Sequence, residues 1–182
     1  MLKKNIGILL LLLLLNACKE QGISSSSKEV SIVIRTTATS SYCGGARPPE
    51  ELLQELQSPK VLSNKQVIIR RGNFNDPNAE IVFDGSSDQE GSLKLLLAPG
   101  DYCLVSAEKR DRQYFDTLLK RFSAETESYS VIDKICLEKW LREPDLTFTV
   151  EPNQQKDYSV NFHQPCEWNS VPCVNYKGPY PP

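Results

Sequence analysis

Apolar residues return at every second position in one short run after another, and this period of two is what most constrains the fold. It begins at Val30, Ile32 and Ile34, with Ser31, Val33 and Arg35 between them. Successive side chains of a strand point to opposite faces, so the alternation marks a strand buried on one side. The same pattern recurs at Val67 and Ile69, Ile81 and Phe83, Leu93 to Leu97, Tyr102 and Leu104, Leu146 to Val150, and Tyr158 to Phe162. Gly72-Asn73, Gly85-Ser86, Asp88 to Gly91, Pro99-Gly100 and Pro152-Asn153 fall between these runs and supply turn chemistry. About seven short strands so punctuated predict a mostly-β chain, an antiparallel β-sandwich of two sheets.

Three stretches break the rhythm. Residues 49–57 open with acidic residues in a first turn and put Leu52, Leu53 and Leu56 on one side. Residues 112–123 carry Tyr114, Phe115, Leu118, Leu119 and Phe122 at helical spacing, and residues 131–142 carry Ile132, Ile135, Cys136 and Trp140. These predict three helices inserted in a sandwich domain of residues 29–164, the last ending before Pro144. Their aromatic residues are expected to pack against the sheets. Beyond His163 the chain is rich in Pro, Cys, Asn and aromatics without periodicity, so residues 165–182 are expected to be an extended tail held on the domain by cysteine.

The amino terminus has the order of a secretory signal: Lys3-Lys4, an apolar run from Ile6 to Leu15, then small residues. That run is roughly half of what spans a bilayer. Leu15-Asn16-Ala17-Cys18 resembles the lipobox of bacterial lipoproteins, which implies a signal peptide of residues 1–17 and lipid on Cys18. Lipid anchoring is stable when two or more chains are attached, each buried methylene contributing about 0.8 kcal/mol. Residues 18–28, with four serines in a row, have the composition of a flexible tether. Lys19 rather than Asp after the cysteine tilts the expected address to the outer membrane, with the direction faced left open. The formal net charge of the whole chain is −2, and removing Lys3 and Lys4 makes the remainder more acidic. No basic field gathers nucleic acid, so a nucleic-acid partner is not expected.

Between Val61 and Val105 the chain reads Asn64-x-x-Val67-x-Ile69, Ile81-x-Phe83, Asp88-x-x-Gly91-x-Leu93-x-Leu95 and Pro99-Gly100-x-Tyr102. This resembles the carboxypeptidase regulatory-like and CNA-B families of prealbumin-like, immunoglobulin-like sandwiches. Tyr158 to Phe162 fits their last strand. The helical insertions and the cysteine-bearing tail depart from that small repeat. Tyr42-Cys43-Gly44-Gly45 and His163-x-Pro165-Cys166 are similar to segments of single-domain lipoproteins of Bacteroidetes. The resemblance implies a fold; such domains serve as spacers, stalks and binding modules, so it names no activity.

Apart from Cys18, the cysteines are Cys43, Cys103, Cys136, Cys166 and Cys173. In an oxidising compartment all five are disulfide candidates, and an odd number leaves at least one over in a monomer. The connectivity stays open. One reading pairs Cys103 with Cys136, taken to face inward from its helix. It leaves Cys43, Cys166, Cys173 and His163, four soft ligands that suit zinc or copper. Cys166-x6-Cys173 is not a metal-knuckle spacing, and His163 shares a strand face with Ser159 and Asn161, opposite the apolar residues. A Cys43 thiolate activated by His163, with Gly44-Gly45 donating to an oxyanion, is the enzyme reading; it lacks a local signature. Asp84, Asp88, Glu90 and Asp101 lie near turns, where weak calcium binding competes with plain hairpin chemistry. The sequence therefore points to a non-catalytic, membrane-anchored envelope domain without a cofactor, either structural or binding an envelope protein or carbohydrate. The alternative is a thiol or metal protein using Cys43, His163, Cys166 and Cys173.

Overall fold

The computed structural model describes residues 28–179. The expected signal peptide, Cys18, the tether up to Ser27 and the last three residues lie outside them. The element order is β1 (Val30–Ser40), α1 (Glu50–Gln57), β2 (Lys60–Val61), β3 (Gln66–Arg71), β4 (Ile81–Ser86), β5 (Ser92–Leu97), β6 (Gly100–Ser106), α2 (Arg112–Arg121), α3 (Lys134–Arg142), β7 (Leu146–Val150) and β8 (Lys156–Gln164). Single 3-10 turns lie at Ala107–Lys109 and Glu167–Asn169.

The strands form two four-stranded sheets, a mostly-β sandwich. In the first, β1 pairs along one edge with β5 and β2 and along the other with β8. The second runs β4-β3-β6-β7. The described residues thus hold one strand more than the alternation finds. The extra one is β2, two exposed residues set against Thr37 and Ala38. The antiparallel expectation is also corrected at one place. β1 and β8 run parallel from Ile32↔Lys156 to Ser40↔Gln164, whereas the other pairs are antiparallel. Two strands separated by nearly the whole domain are free to run either way, whereas a tight hairpin permits only the antiparallel arrangement.

The alternating residues build the core between the sheets. Ile32, Ile34, Val67, Ile69, Tyr102 and Leu104 are at most 0% exposed and pack with Leu93, Phe148, Val150 and Val160. The Tyr102 ring stacks on Phe148 at 5.6 Å, and Phe148 meets Tyr158 at 4.9 Å. The Pro99-Gly100-x-Tyr102 segment has a physical role here. Gly100 takes φ of 149°, a region that disfavours side chains, and the Tyr102 hydroxyl donates to the Ala98 carbonyl at 2.6 Å.

The outward residues of β3 and β6, Ile68, Arg70, Cys103 and Val105, are buried too. Helices and the loop after β3 cover that side. Arg70 donates to the carbonyls of Ala79 and Arg110, and Asn75 Nδ2 donates to those of Lys109 and Leu141. Both of these helices are capped by aspartate: Asp111 accepts from the Gln113 N–H, and Asp133 from those of Ile135 and Cys136. Their apolar faces make a second core of Phe115, Leu118, Phe122, Ile132, Leu137 and Leu141, joined by Val174 of the tail. No described helix is long and apolar enough to cross a membrane.

Candidate binding cleft

The cysteines are joined differently from the pairing of Cys103 with Cys136. Cys43 bonds Cys166, and Cys136 bonds Cys173. Cys103 is a buried thiol whose Sγ donates to the Phe74 carbonyl at 3.3 Å. Burial pushes that thiol above its ordinary value, with Arg70 acting against the shift. The reason for the difference is a rotation on α3. Leu137 and Leu141 take the inward side, and the neighbouring Cys136, about 100° round the helix, faces out to the tail.

The two disulfides divide the proposed ligand set. Cys43 and Cys166 share one bond, and Cys173 belongs to the other. His163 is exposed, with Nε2 at 2.8 Å from Ser41 Oγ and Nδ1 at 3.4 Å from Thr39 Oγ1. Among the described residues no group of three metal-ligating side chains comes together. A bonded Cys43 is no thiolate nucleophile, so the pairing of Cys43 with His163 does not arise. The turn carboxylates have separate partners: Asp84 pairs with Arg110, Asp88 accepts from the Ser92 N–H, and Asp101 accepts from Thr149.

What the disulfides do bring together is a cleft of about 490 Å³. It lies beside the end of β8, between that strand, the helices and the tail. Its floor holds Lys109 and Asp145. The Lys109 ammonium donates to Asp145 Oδ1 at 2.8 Å and to the Glu143 carbonyl at 2.9 Å, while Asp145 Oδ2 accepts from the Ser106 N–H at 2.6 Å. One wall is aromatic. Tyr114 and Trp140 sit 6.1 Å apart with their rings tilted, and the Lys109 ammonium lies 5.3 Å from the Trp140 ring. Burial, reinforced by Glu108, pushes the Tyr114 hydroxyl up, so it stays a neutral donor. The facing wall carries Asn161, Phe162 and Gln164 of β8 and Asn169 and Ser170 of the tail. Lys65 stands over Phe162 at 4.8 Å and 3.9 Å from Glu108.

The tail wall is pinned at both ends, because the half-cystines Cys166 and Cys173 bracket residues 167–172. The Asp133 N–H also donates to the Cys173 carbonyl, and Tyr129 bridges to Tyr176. An irregular segment held this way is a preformed wall with little freedom left to lose on binding. The sequence named Tyr114, Trp140, Phe162 and Asn161 only as packing or exposed residues, and His163 as an exposed residue or as part of the metal and thiol alternatives. Lys65, Glu108, Lys109, Asp145 and Asn169 carried no motif at all.

No protein-family model matches the chain, and no curated protein matches it. Among solved structures it is similar to the shaft pilin spaA of Lactobacillus rhamnosus GG, with 9% identity and a TM-score of 0.41 over 75% of this chain and 51% of that one. It is also similar to GBS52, the minor pilin of Streptococcus agalactiae, with 11% identity, a TM-score of 0.36 and coverage of 75% and 45%. A third is the TIE protein of Bacillus anthracis, at 13% identity and a TM-score of 0.33, of which the match covers 17%. The chain spans about half the length of the two pilins. Likenesses at these scores carry no argument for an activity, a ligand or a partner.

Proposed function

We propose that the chain is an exported, lipid-anchored envelope protein whose sandwich is a non-catalytic binding module, with the cleft between β8, the helices and the tail as its site. The observation that carries the reading is the tail wall: two disulfides are spent on holding residues 167–172 against a concave surface. The core between the sheets is closed without that wall, whose Val171 and the following Cys173 and Val174 reach only the second core under the helices. Two further features support binding over chemistry. Both oxygens of Asp145 are committed to partners within the protein, so it is not poised as an acid or base. The His163 ring meets hydroxyls and no carboxylate that would orient it. Export and the lipid on Cys18 rest on the amino-terminal sequence, and disulfides are at home in the oxidising compartments to which such a signal leads.

The reading is tested by expressing the full chain in a diderm host. Intact mass of the membrane-fraction protein should show cleavage before Cys18 with added acyl chains, and Cys18→Ala should release it into the soluble fraction. Unmodified Cys18 with an intact leader refutes the anchor. For the site, soluble envelope extract is titrated into the isotopically labelled full-length protein and followed by NMR. Perturbations confined to Tyr114, Trp140, Asn161 and Asn169 are expected; perturbations only on distant surfaces refute the assignment of the cleft.

A further inference from the structure

We infer that the cleft takes a neutral saccharide, a segment of an uncharged glycan, an assignment that rests on the binding reading above. Charge is the first argument. Of the ionic groups lining the cleft, Lys109 is neutralised by Asp145 and Lys65 stands against Glu108. An anionic ligand such as a phosphate or a uronate would face Glu108 and Asp145 without a free cation to receive it. A cationic ligand would meet Lys109 and Lys65. The balance leaves an uncharged polar ligand favoured.

The donor set is the second argument. Asn169 is an exposed amide in the lining that offers a carbonyl and an NH2, while the amides of Asn161 and Gln164 beside it already bond Thr37, Thr39 and Ser40 of β1. Vicinal hydroxyl groups are both donors and acceptors and are matched by such amides. They are matched less well by a carboxylate, which only accepts, or an ammonium, which only donates. Ser170 and the neutral Tyr114 hydroxyl add two more groups of the same two-way kind. Third, the ring pair of Tyr114 and Trp140 gives an aromatic surface beside those amides. The electron-rich face of an indole suits the polarised C–H faces of a pyranose, with its hydroxyls at the rim reaching the amides. A volume of about 490 Å³ lies in the range that holds a ligand of a few rings, about 300–1,000 Å³.

The test uses the full chain purified in detergent. Neutral tetrasaccharides (of glucose in two linkages, mannose and N-acetylglucosamine) are titrated by calorimetry and NMR beside a sialylated trisaccharide, a sulfated uronate tetrasaccharide and an uncharged pentapeptide. At least one neutral saccharide is expected to bind and to perturb Trp140, Asn161 and Asn169. Trp140→Ala should weaken that binding about tenfold, the scale of one stacked ring. Because Trp140 also borders the second core, Asn169→Ala, at an exposed position, is made in parallel. It should weaken binding several-fold with an unchanged unfolding midpoint. A charged glycan or the peptide perturbing these same residues, with no neutral saccharide doing so, overturns the saccharide assignment and leaves the binding reading standing. A neutral saccharide that perturbs only residues remote from the cleft overturns both. No response to any probe overturns the saccharide assignment.

Discussion

Replacing Asp145 by Asn removes one charge from the cleft floor and keeps an acceptor for the Ser106 N–H. Its cost follows from what is left behind. The Lys109 side chain is 7% exposed and the Asp145 side chain 21%. Without the carboxylate, the ammonium keeps only the Glu143 carbonyl and the Trp140 ring as partners. Breaking a buried pair in this way costs about 3–5 kcal/mol, and partial exposure of Asp145 places this one near the low end, about 3 kcal/mol. In a domain of this size a loss of 1 kcal/mol lowers the melting temperature by about 2–4 °C, so the midpoint should fall by about 6–12 °C. The reasoning is tested by urea unfolding and thermal melts of Asp145→Asn, Lys109→Met and the double variant. Since the penalty is an unpaired buried charge, Lys109→Met in the Asp145→Asn background should recover most of the loss, to within about 1 kcal/mol of the parent. A loss below about 1 kcal/mol in Asp145→Asn, or a double variant no better than that single one, refutes it.

The disulfides should differ in worth by the loops they close. With separations of 123 and 37 residues, chain entropy gives about 5 kcal/mol for Cys43–Cys166 and about 4 kcal/mol for Cys136–Cys173, read by denaturant unfolding of the two Cys→Ala double variants. In the second variant, amide exchange should rise first in residues 167–175, and uniform acceleration across the sheets would contradict the pinned-wall picture. Gly91 has φ of 71°, and a Cβ there would lie 2.8 Å from the Thr36 carbonyl, so Gly91→Ala should cost about 2 kcal/mol by the same measurement. Burial, foremost in each case, raises Cys103, Tyr102, Tyr114 and Tyr158 above their ordinary values. Groups raised in the fold contribute stability that is full below their ordinary values, 9.0 for the thiol and 10.0 for the phenols, and is lost as pH climbs through the folded ones. Unfolding free energy should therefore hold level from pH 7 to about 8.5 and drop above about 9; a rise in that window would reverse the sign.

Strands were legible wherever one face alone is buried, as in Val30 to Ile34 and Tyr158 to Phe162, because burial writes itself into every second residue. β2 left no trace, since Lys60 and Val61 bury nothing and are defined by backbone pairing with β1. β3 was half legible: the alternation marks Val67 and Ile69, and nothing in it signals that Ile68 and Arg70 are buried as well, Arg70 against the Arg110 carbonyl forty residues downstream. The partner of a strand is also invisible to periodicity, which is why the parallel β1–β8 pair went unread. Cys136 shows the limit on helices. A residue is assigned inward or outward by a stripe, and an error of one position turns it by about 100°. The cleft was not legible at all, because Lys65, Lys109, Trp140, Asn161 and Asn169 share no local spacing and meet only after both layers and the tail have closed.

Tension applied to the two ends of the domain would take a path that the fold all but bypasses. A pull between residues 28 and 179 runs along β1 to Cys43, crosses the sulfur bridge to Cys166 and leaves through the tail. Everything from Gly44 to Pro165 hangs off that path as an unloaded loop. At about 3.5 Å per residue the domain can lengthen to about 105 Å, against about 410 Å with this bridge reduced and Cys136–Cys173 intact, and about 530 Å with both reduced. The Cys43–Cys166 bond is thus a mechanical stop. A protein tethered at one end and gripped at the other would keep residues 44–165 off the loaded path, and the load would fall on β1 and on the tail wall at residues 167–172.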